Sequence, residues 1–380
     1  MTPITKINLG IIGGGQLGKM LILAARTMGI YNIVVIDPEK ESPAGKIADE
    51  HIVARWDSEE AIKKLAKKVD IITYEVEHTN VSILKHLEDK GYIVRPSGYV
   101  LEIIQDKLKQ KQFLLKNKIP TTKLLKIFPQ KNDFVKIKLP VVQKTCKGGY
   151  DGRGVLVIKN VEDIKNIFTQ ESFLEEYVNI KKELSVLVAR GSTGEIKTYP
   201  VVEMCFNEKN ICDTVIAPAR IEKKVQKEAI DIGIKCVKNL NGIGIFAIEL
   251  FLTKDNRILV NEISPRVHNS GHYTIDATKT SQFEQHLRAI SGLPLGSTEL
   301  LSKAIMINIL GCPDYRGRPV IEGIEKVLAM DGVKFHFYDK KITFPYRKMG
   351  HITILDKSIP SAIKKSLFIK KILKIKSQGG

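Results

Sequence analysis

No Cys-x-x-Cys pair occurs in this sequence. Its five cysteines, Cys146, Cys205, Cys212, Cys236 and Cys312, are odd in number and widely spaced. That argues against a disulfide framework and against a thiolate zinc site. Inert thiols are the reading that remains. Cys146 falls in a glycine loop, but no spacing marks it as a nucleophile. Long apolar runs are missing too. None approaches the roughly 20 residues that span a bilayer, so no membrane partner is expected. Met1 to Gly10 carries no signal-peptide pattern and leads straight into a strand, which makes a cytoplasmic protein the expectation. The Walker A run Gly-x-x-x-x-Gly-Lys-Ser/Thr is absent, as are internal repeats and low-complexity linkers. A chain of 380 residues is long enough for two or three domains with cores of their own.

Negative charge is in short supply. Sixty Lys and Arg against 42 Asp and Glu leave a formal charge of +18, a balance that suits nucleic acid or another anionic partner. The lysines, however, are spread over the polar faces of expected helices such as Ala61 to Lys68 and Lys223 to Lys238. No basic stripe interleaved with stacking aromatics is evident, so no nucleic-acid partner is expected. The one dense cluster, Lys364 to Lys376, reads as a solvated tail helix.

What is present centres on Lys144 to Val155, Lys-Thr-Cys-Lys-Gly-Gly-Tyr-Asp-Gly-Arg-Gly-Val. Apolar runs flank it, so it reads as strand, flexible loop, strand. Its glycines free backbone N–H groups to close on an anion, and Lys144, Lys147 and Arg153 add positive charge. It is either a phosphate-covering lid or an ordinary glycine-rich hairpin with surface lysines.

Upstream, Lys6 to Ile12 is a strand, Gly13-Gly14-Gly15-Gln16-Leu17-Gly18 a turn, Lys19 to Met28 a helix, and Ile33 to Ile36 a strand ending at Asp37. This βαβ start with Gly-x-Gly-x-x-Gly and a distal acid suggests a dinucleotide. A Rossmann-like domain that binds another phosphate, or merely packs tightly, stays open. Pro38 and the Ser42-Pro43-Ala44-Gly45 turn leave the role of Asp37 undecided. Further alternation, with a helix over Glu59 to Lys68, a strand over Val69 to Tyr74, a helix over Val81 to Lys90 and a strand over Tyr92 to Val94, implies a parallel, doubly wound sheet. Glu75 falls at a strand's carboxyl end, where such sheets bind ligands.

One linking helix is expected from Leu101 to Asn117, carrying Lys107 and Lys111. A small α/β unit with the glycine loop follows, leaving by the strand Ser172 to Val178. Glu183 opens the next strand. Ile245 to Leu252 and Arg257 to Ile263 form a hairpin around Lys254-Asp255-Asn256, whose register brings Glu249 near Glu262. Glu249 stands in an apolar strand, where an unpaired carboxylate is costly. Two carboxylates beside Asn261 suit Mg²⁺; two surface glutamates are the plain alternative. The polar loop Ser264 to His272 follows directly, with Arg266, His268, Asn269 and His272. Ile305 to Ile354 reads as a small β-rich unit with basic hairpin residues Lys340, Arg347 and Lys348.

This order of motifs resembles the ATP-grasp superfamily. The strings at 13–18, 37–45, 147–154, 261–272 and 347–351 resemble, within it, the N5-carboxyaminoimidazole ribonucleotide synthetases, ATPase subunits of phosphoribosylaminoimidazole carboxylase. The resemblance implies an α/β and α+β fold. Residues 1–100 would form a Rossmann-like pre-ATP-grasp parallel sheet, 101–183 the linking helix and lid subdomain, 184–304 the catalytic subdomain, and 305–380 a small β-rich C-terminal domain with the basic tail. It implies ATP-dependent carboxylation of 5-aminoimidazole ribonucleotide with bicarbonate, with ATP and Mg²⁺ as cofactors, in a homodimer.

By the same resemblance, Lys107 and Lys144 contact ATP phosphates, under a lid of Gly149, Tyr150, Asp151, Gly152, Arg153, Gly154 and Val155. Glu175, Glu176, Tyr177 and Val178 cradle adenine, Glu183 takes the ribose, and Asn261 stands beside the Mg²⁺ ligands Glu249 and Glu262. Gln16, Leu17, Glu75, His268, Asn269, Lys340, Arg347 and Lys348 take the second substrate. Arg266, His268 and Asn269 join the lid residues Tyr150, Asp151 and Arg153 in catalysis. Two departures from the family pattern stand out. Phe206 replaces a usual His, and Thr343-Phe344-Pro345-Tyr346 lacks a usual Arg and Gly. Formate-dependent glycinamide ribonucleotide transformylase is a rival within the superfamily, and a nicotinamide-dependent oxidoreductase a rival outside it.

Overall fold

A computed structural model describes residues 6–130, 133–149 and 154–378. The chain opens with β1 (Ile7–Ile12), α1 (Gln16–Met28), β2 (Tyr31–Asp37), β3 (Glu50–Val53), α2 (Glu59–Ala66), β4 (Ile71–Tyr74), α3 (Val81–Asp89) and β5 (Ile93–Val94). These strands pair in parallel in the order β3-β2-β1-β4-β5. Both faces are covered, which is why the middles of the central strands are mostly apolar. Leu9 and Ile11 pack with Leu17 and Leu21 of α1, while Ile12 and Ile36 pack with Ile62 of α2 and Leu84 of α3. Strand β3 has almost no signature, because Ile52 is its one buried residue.

The expected linking helix is two helices, α4 (Gly98–Ile104) and α5 (Lys107–Lys116). Asp106 makes the break. Its carboxylate accepts the N–H groups of Leu108 and Lys109 at 2.9 and 3.1 Å, so it starts a new helix as an N-cap instead of continuing the old one. A small four-stranded unit follows, with β6 (Leu124–Ile127), α6 (Asp133–Lys136), β7 (Val141–Thr145), β8 (Val155–Ile158) and β9 (Ser172–Glu176), its strands ordered β6-β9-β7-β8.

Next come β10 (Ile180–Arg190), β11 (Ile196–Thr198), β12 (Val202–Phe206), β13 (Cys212–Ala217), α7 (Lys223–Leu240), β14 (Gly244–Thr253), β15 (Ile258–Ser264), α8 (Thr274–Ala277), α9 (Gln282–Ile290) and β16 (Ala304–Leu310). The chain closes with β17 (Pro319–Glu322), α10 (Ile324–Leu328), β18 (Val333–Phe337), β19 (Lys348–Leu355), α11 (Ile359–Ile372) and β20 (Lys374–Ser377). One sheet runs β15-β14-β10-β12-β13-β16-β19-β18, with β11 on β10. It crosses residue 304 unbroken, since β13 pairs with β16 and β16 with β19.

Strand alternation decides what each face of this sheet does. Leu184, Val186, Val188, Ile248 and Leu250 point to one side and pack under α7. Glu183 and Ser185 alternate with them, and their cross-strand partners are Phe251 and Glu249.

The basic tail is no solvated helix. Helix α11 buries Ala362 and Ile369, and Ile375 of β20 is equally inaccessible. Strand β20 then pairs with β17. The tail's lysines lie on the outside of an element whose apolar residues close the C-terminal core. All five cysteines are free. No helix among the described residues is long and apolar enough to cross a membrane.

Candidate active site

Three lysines and a buried glutamate meet where the small four-stranded unit faces the large sheet. Lys144 of β7 and Lys111 of α5 grip the two oxygens of Glu175 at 2.7 and 2.8 Å. Thr122 Oγ1 donates to the same carboxylate at 2.6 Å. Burial alone would raise the Glu175 pKa, but Lys144 and Lys111 overcome it and hold the group at about 2. Lys144 also donates to Asn261 Oδ1 at 2.9 Å. Lys107, the first residue of α5, bridges to Glu262 Oε2 at 2.7 Å, and its own N–H donates to Cys146 O at 2.8 Å. The Asp106 cap therefore fixes where Lys107 stands.

The hairpin register is the expected one, with Glu249 opposite Glu262. A bulge follows at once: Leu250 pairs with Val260, leaving Asn261 extra on β15. A bulge lets two consecutive residues of one strand serve the same face, which is how Asn261 and Glu262 both reach the lysines. Burial, then Glu262 and Glu183, raise Glu249 to about 8. Burial raises Glu183 to about 7. Lys107 overcomes the same burial at Glu262 and holds it below the usual carboxylate range. Among the described residues no three His, Cys, Asp or Glu side chains gather as an all-protein metal cage. The donors fit a hard divalent cation of the Mg²⁺ kind, which takes one or two carboxylates and fills the rest of its shell with phosphate and water oxygens. The raised Glu249 marks a cluster short of positive charge.

The polar loop after β15 stands beside this cluster. His268 Nε2 lies 3.4 Å from Glu249 Oε1, and burial keeps the ring neutral, well below its usual pKa. Gln282 at the start of α9 fixes His268 twice, accepting its N–H at 2.9 Å and donating to its carbonyl at 2.7 Å. Ser270 ties the loop to the sheet through Ser185 at 2.9 Å. Arg266 pairs with Glu77 at 2.8 Å. The Asn269 Nδ2 is buried with no partner among the described residues, a donor suited to a ligand oxygen.

A second group of charged side chains gathers between the first sheet and the C-terminal hairpin. Burial, then Arg347, lowers Lys340 to about 7, with Lys348 adding to the repulsion and Glu75 and Glu39 opposing it. Glu39 lies 3.9 Å from Arg347 on the same side. The glycine turn before α1 turns its amides to carboxylates. Gly14 N–H donates to Asp37 Oδ2 at 2.8 Å, and Glu75 accepts from Gly18 N–H at 2.7 Å and from Gly15 N–H. A Cβ on Gly15 would meet Glu75 Oε1 at 2.8 Å, so glycine is required for the carboxylate's close approach. The amides of Gly14, Gly15 and Gly18 are thus engaged by carboxylates, which compete with any phosphate at the start of α1.

The expected residues thus fall into two groups. Lys107, Lys144, Glu175, Glu183, Glu249, Asn261 and Glu262 form one, and Glu75, Lys340, Arg347 and Lys348 the other, with His268 and Asn269 on the loop joined to the first. Leu17 turns its side chain into the core and has only its backbone to offer. Gln16, the first residue of α1, is half-buried. The Glu175 carboxylate is spent on lysines, whereas Glu176 meets Arg257 at 3.4 Å and accepts from Lys123 N–H. Tyr177 is half-buried and Val178 buried beyond them. Tyr150, Asp151, Gly152 and Arg153 lie outside the described residues; Gly149, Gly154 and Val155 flank them, and Thr145 N–H donates to Gly154 O at 2.9 Å. Phe206 packs against the core beneath β12 and β13. Tyr346 holds a φ of 64°, a region where glycine is at ease and a bulky side chain is not.

Sequence reasoning missed Glu175 as a lysine organiser, Lys111 as its partner, and Gln282. Only the four-residue spacing of Lys107 and Lys111 carried any signal. A wider cleft of about 580 Å³ opens on the α7 face, lined in part by Lys181, Lys182 and Arg220. Two of those cations are drawn to Glu203, and none of the expected site residues lines it.

Three family models match in series. These are the ribonucleotide synthetase preATP-grasp domain over residues 6–105, the ATP-grasp domain over 112–283, and the phosphoribosylaminoimidazole carboxylase C-terminal domain over 304–365. The chain is 42% identical over 355 residues to N5-carboxyaminoimidazole ribonucleotide synthase of Bacillus subtilis, covering 91% of each. The crystal structure of N5-carboxyaminoimidazole ribonucleotide synthetase from Thermotoga maritima superposes with a TM-score of 0.92 at 53% identity, over 98% of this chain and 100% of that one. The Aspergillus clavatus enzyme in complex with ADP and 5-aminoimidazole ribonucleotide does so with a TM-score of 0.88 at 31% identity, over 97% and 98%.

Proposed function

The chain belongs to the N5-carboxyaminoimidazole ribonucleotide synthase family, and from that premise we propose how its two groups of site residues divide the reaction. The enzyme is an ATP-dependent ligase of purine biosynthesis. It carboxylates 5-aminoimidazole ribonucleotide with bicarbonate to the N5-carboxyamino product and releases ADP and phosphate. ATP occupies the lid pocket, with Lys107 and Lys144 on its phosphates, the backbone of Glu175 to Val178 along the adenine, and Glu183 at the ribose. Mg²⁺ on Glu249 and Glu262, beside Asn261, supplies charge neutralisation at the transferring phosphoryl group. The ribonucleotide lies across the second group, its phosphate toward Lys340, Arg347 and Lys348. Its amine points toward the loop of Arg266, His268 and Asn269, with Gln16, Leu17 and Glu75 behind it.

Bicarbonate attacks the γ-phosphorus, and ADP leaves as carboxyphosphate forms. The amine then takes up the carboxyl group, directly or as CO₂, and phosphate departs. Phosphoryl transfer is mostly positioning and charge neutralisation, so paired lysines and a two-carboxylate cation site are the parts it needs. Carboxyphosphate exposed to water is lost, which gives the 149–155 lid, with Tyr150, Asp151 and Arg153, its purpose.

The observation that supports this reading is His268 Nε2 3.4 Å from Glu249 on the lysine–carboxylate cluster, with Lys340, Arg347 and Lys348 grouped apart from it. ADP release with Mg-ATP and bicarbonate, with and without 5-aminoimidazole ribonucleotide, tests it. Strong stimulation by the ribonucleotide is expected, and its absence with ATP still bound would refute the substrate. Glu262→Gln abolishes turnover with the fold intact; near-normal ATPase at saturating Mg²⁺ would refute the metal role. A homodimer in the cytoplasm completes the reading, and sedimentation of the purified protein tests the dimer.

A further inference from the structure

The loop with His268 and Asn269 and the hairpin with Lys340, Arg347 and Lys348 come from distant parts of the chain, yet they are joined by a column of rings. His336 of β18 and His351 of β19 are direct cross-strand partners. Their rings stack at 4.4 Å with planes 13° apart. His272, four residues beyond His268, stacks on His351 at 4.7 Å and 29°. Phe283 of α9 continues the stack, 5.9 Å from His272 at 24°. Tyr338 meets the column from the side, its hydroxyl 3.1 Å from His351 Nδ1. His336 closes the outer end on Asp276 at 2.8 Å. Gly350 lets the hairpin draw this tight, because a Cβ there would meet His336 O at 2.6 Å.

Stacked rings contribute contact area on both faces and resist sliding. They do not relay protons, since no ring nitrogen of one reaches a ring nitrogen of the next. His351 is completely buried between its two neighbours and lies three residues after Lys348 on one strand. Displacing it shifts the hairpin against the catalytic loop. Burial holds His272 down to about 3 and drives His351 lower still than an ordinary imidazole. The neutral His272 and His351 rings stack on one another with no like-charge repulsion between them.

We propose that His351 is a positioning residue for the ribonucleotide, fixing the distance between the cationic hairpin that takes its phosphate and the loop that faces its reacting amine. The inference rests on the two-pocket assignment above. A ligand held at both ends loses rate steeply when one end moves, while ATP, held by the lid and β14–β15, is indifferent to the column.

The test uses His351→Ala and His351→Phe, assayed for ADP release with Mg-ATP, bicarbonate and 5-aminoimidazole ribonucleotide. In the alanine variant kcat/KM for the ribonucleotide falls about tenfold or more, while KM for ATP stays within about twofold. The phenylalanine variant keeps both ring faces and recovers most of the loss. Equal damage to both substrates, or none to either, overturns the proposal. So does a phenylalanine variant as poor as alanine, which would assign the role to the ring nitrogens, Nδ1 on the Tyr338 hydroxyl and the buried Nε2 with no partner among the described residues. Should the alanine variant fail to fold, His272→Phe serves in its place, with ribonucleotide kcat/KM expected to stay within about threefold of wild type; a selective tenfold loss there overturns the ring-face argument. Wild-type enzyme that the ribonucleotide does not stimulate refutes the two-pocket assignment instead, so the two failures are distinct.

Discussion

Acid sensitivity at one buried ring follows directly from its hydrogen bonds. His286 of α9 sits where the first sheet, the large sheet and α9 meet. The Ile245 N–H donates to its Nδ1 at 3.1 Å, so that nitrogen is bare and the ring's hydrogen is on Nε2, 2.8 Å from Thr73 Oγ1. A second proton would have to go on Nδ1, facing a donor. Burial holds the group down to about 3, against about 6.5 for a free imidazole. Between those values the unfolded chain binds a proton that the folded chain refuses. The His286 contribution is therefore complete above about pH 6.5 and drains away as pH falls toward 3. At pH 5 the loss is about one and a half pH units at about 1.4 kcal/mol each, or roughly 2 kcal/mol.

His286→Gln supplies the comparison, since an amide oxygen can accept from Ile245 and an amide N–H can donate to Thr73 at any pH. Urea midpoints at pH 7.5 and 5.0 should show the stability advantage of wild type over the variant shrinking by roughly 2 kcal/mol. A constant advantage, or a ¹⁵N-labelled His286 ring that titrates near 6.5, would refute the reasoning.

Four other outcomes are expected. Glu175→Ala strands two buried lysines and should cost about 3–5 kcal/mol by urea titration, whereas Lys111→Met, which leaves the Lys144 pair intact, should cost clearly less. Asp106→Ala should lower stability by about 1 kcal/mol and weaken ADP binding by calorimetry, because the cap sets Lys107. Gln282→Ala frees His268 from two hydrogen bonds and should lower kcat about tenfold or more, with KM for ATP unchanged in steady-state assays. A chain ending at Lys357 loses α11 and β20 and uncovers the C-terminal core, so it should bind the dye ANS and lose its cooperative thermal transition; full retention of both would make the tail dispensable.

The sequence spoke most clearly where one residue type has one use. Val, Ile and Leu runs between glycine turns marked the first sheet, since a strand covered on both faces can hold little else. Glu249 was legible because a carboxylate in an apolar strand is anomalous, and its partner Glu262 followed from hairpin register. Asp106 was less legible. Mid-pattern it looks like any polar residue on a helix, and only the capped N–H groups reveal a new start. The tail misled for a related reason: its lysines dominate composition, but Ile369 and Ile375, fully buried, decide its place. Strand β3 and Gln282 left no local trace, because pairing with β2 and bonding to His268 are tertiary facts.

The site's least legible property is its internal charge balance, which is separate from the +18 excess carried by lysines spread along the chain. Every substrate is an anion, so the pockets must be cationic when occupied. Empty, such pockets would repel themselves. The fold answers with resident carboxylates: Glu175 between Lys111 and Lys144, Glu262 on Lys107, and Asp37 and Glu75 on the glycine amides. Where resident carboxylates outnumber cations, as at Glu249, the proton is held instead, up to about 8. A divalent cation arriving with the nucleotide would take Glu249 and Glu262 together and release Lys107 toward phosphate. The opposed shifts of Glu249 and Glu262 are thus two halves of one arrangement, in which Lys107 supplies to Glu262 the positive charge that Glu249 lacks.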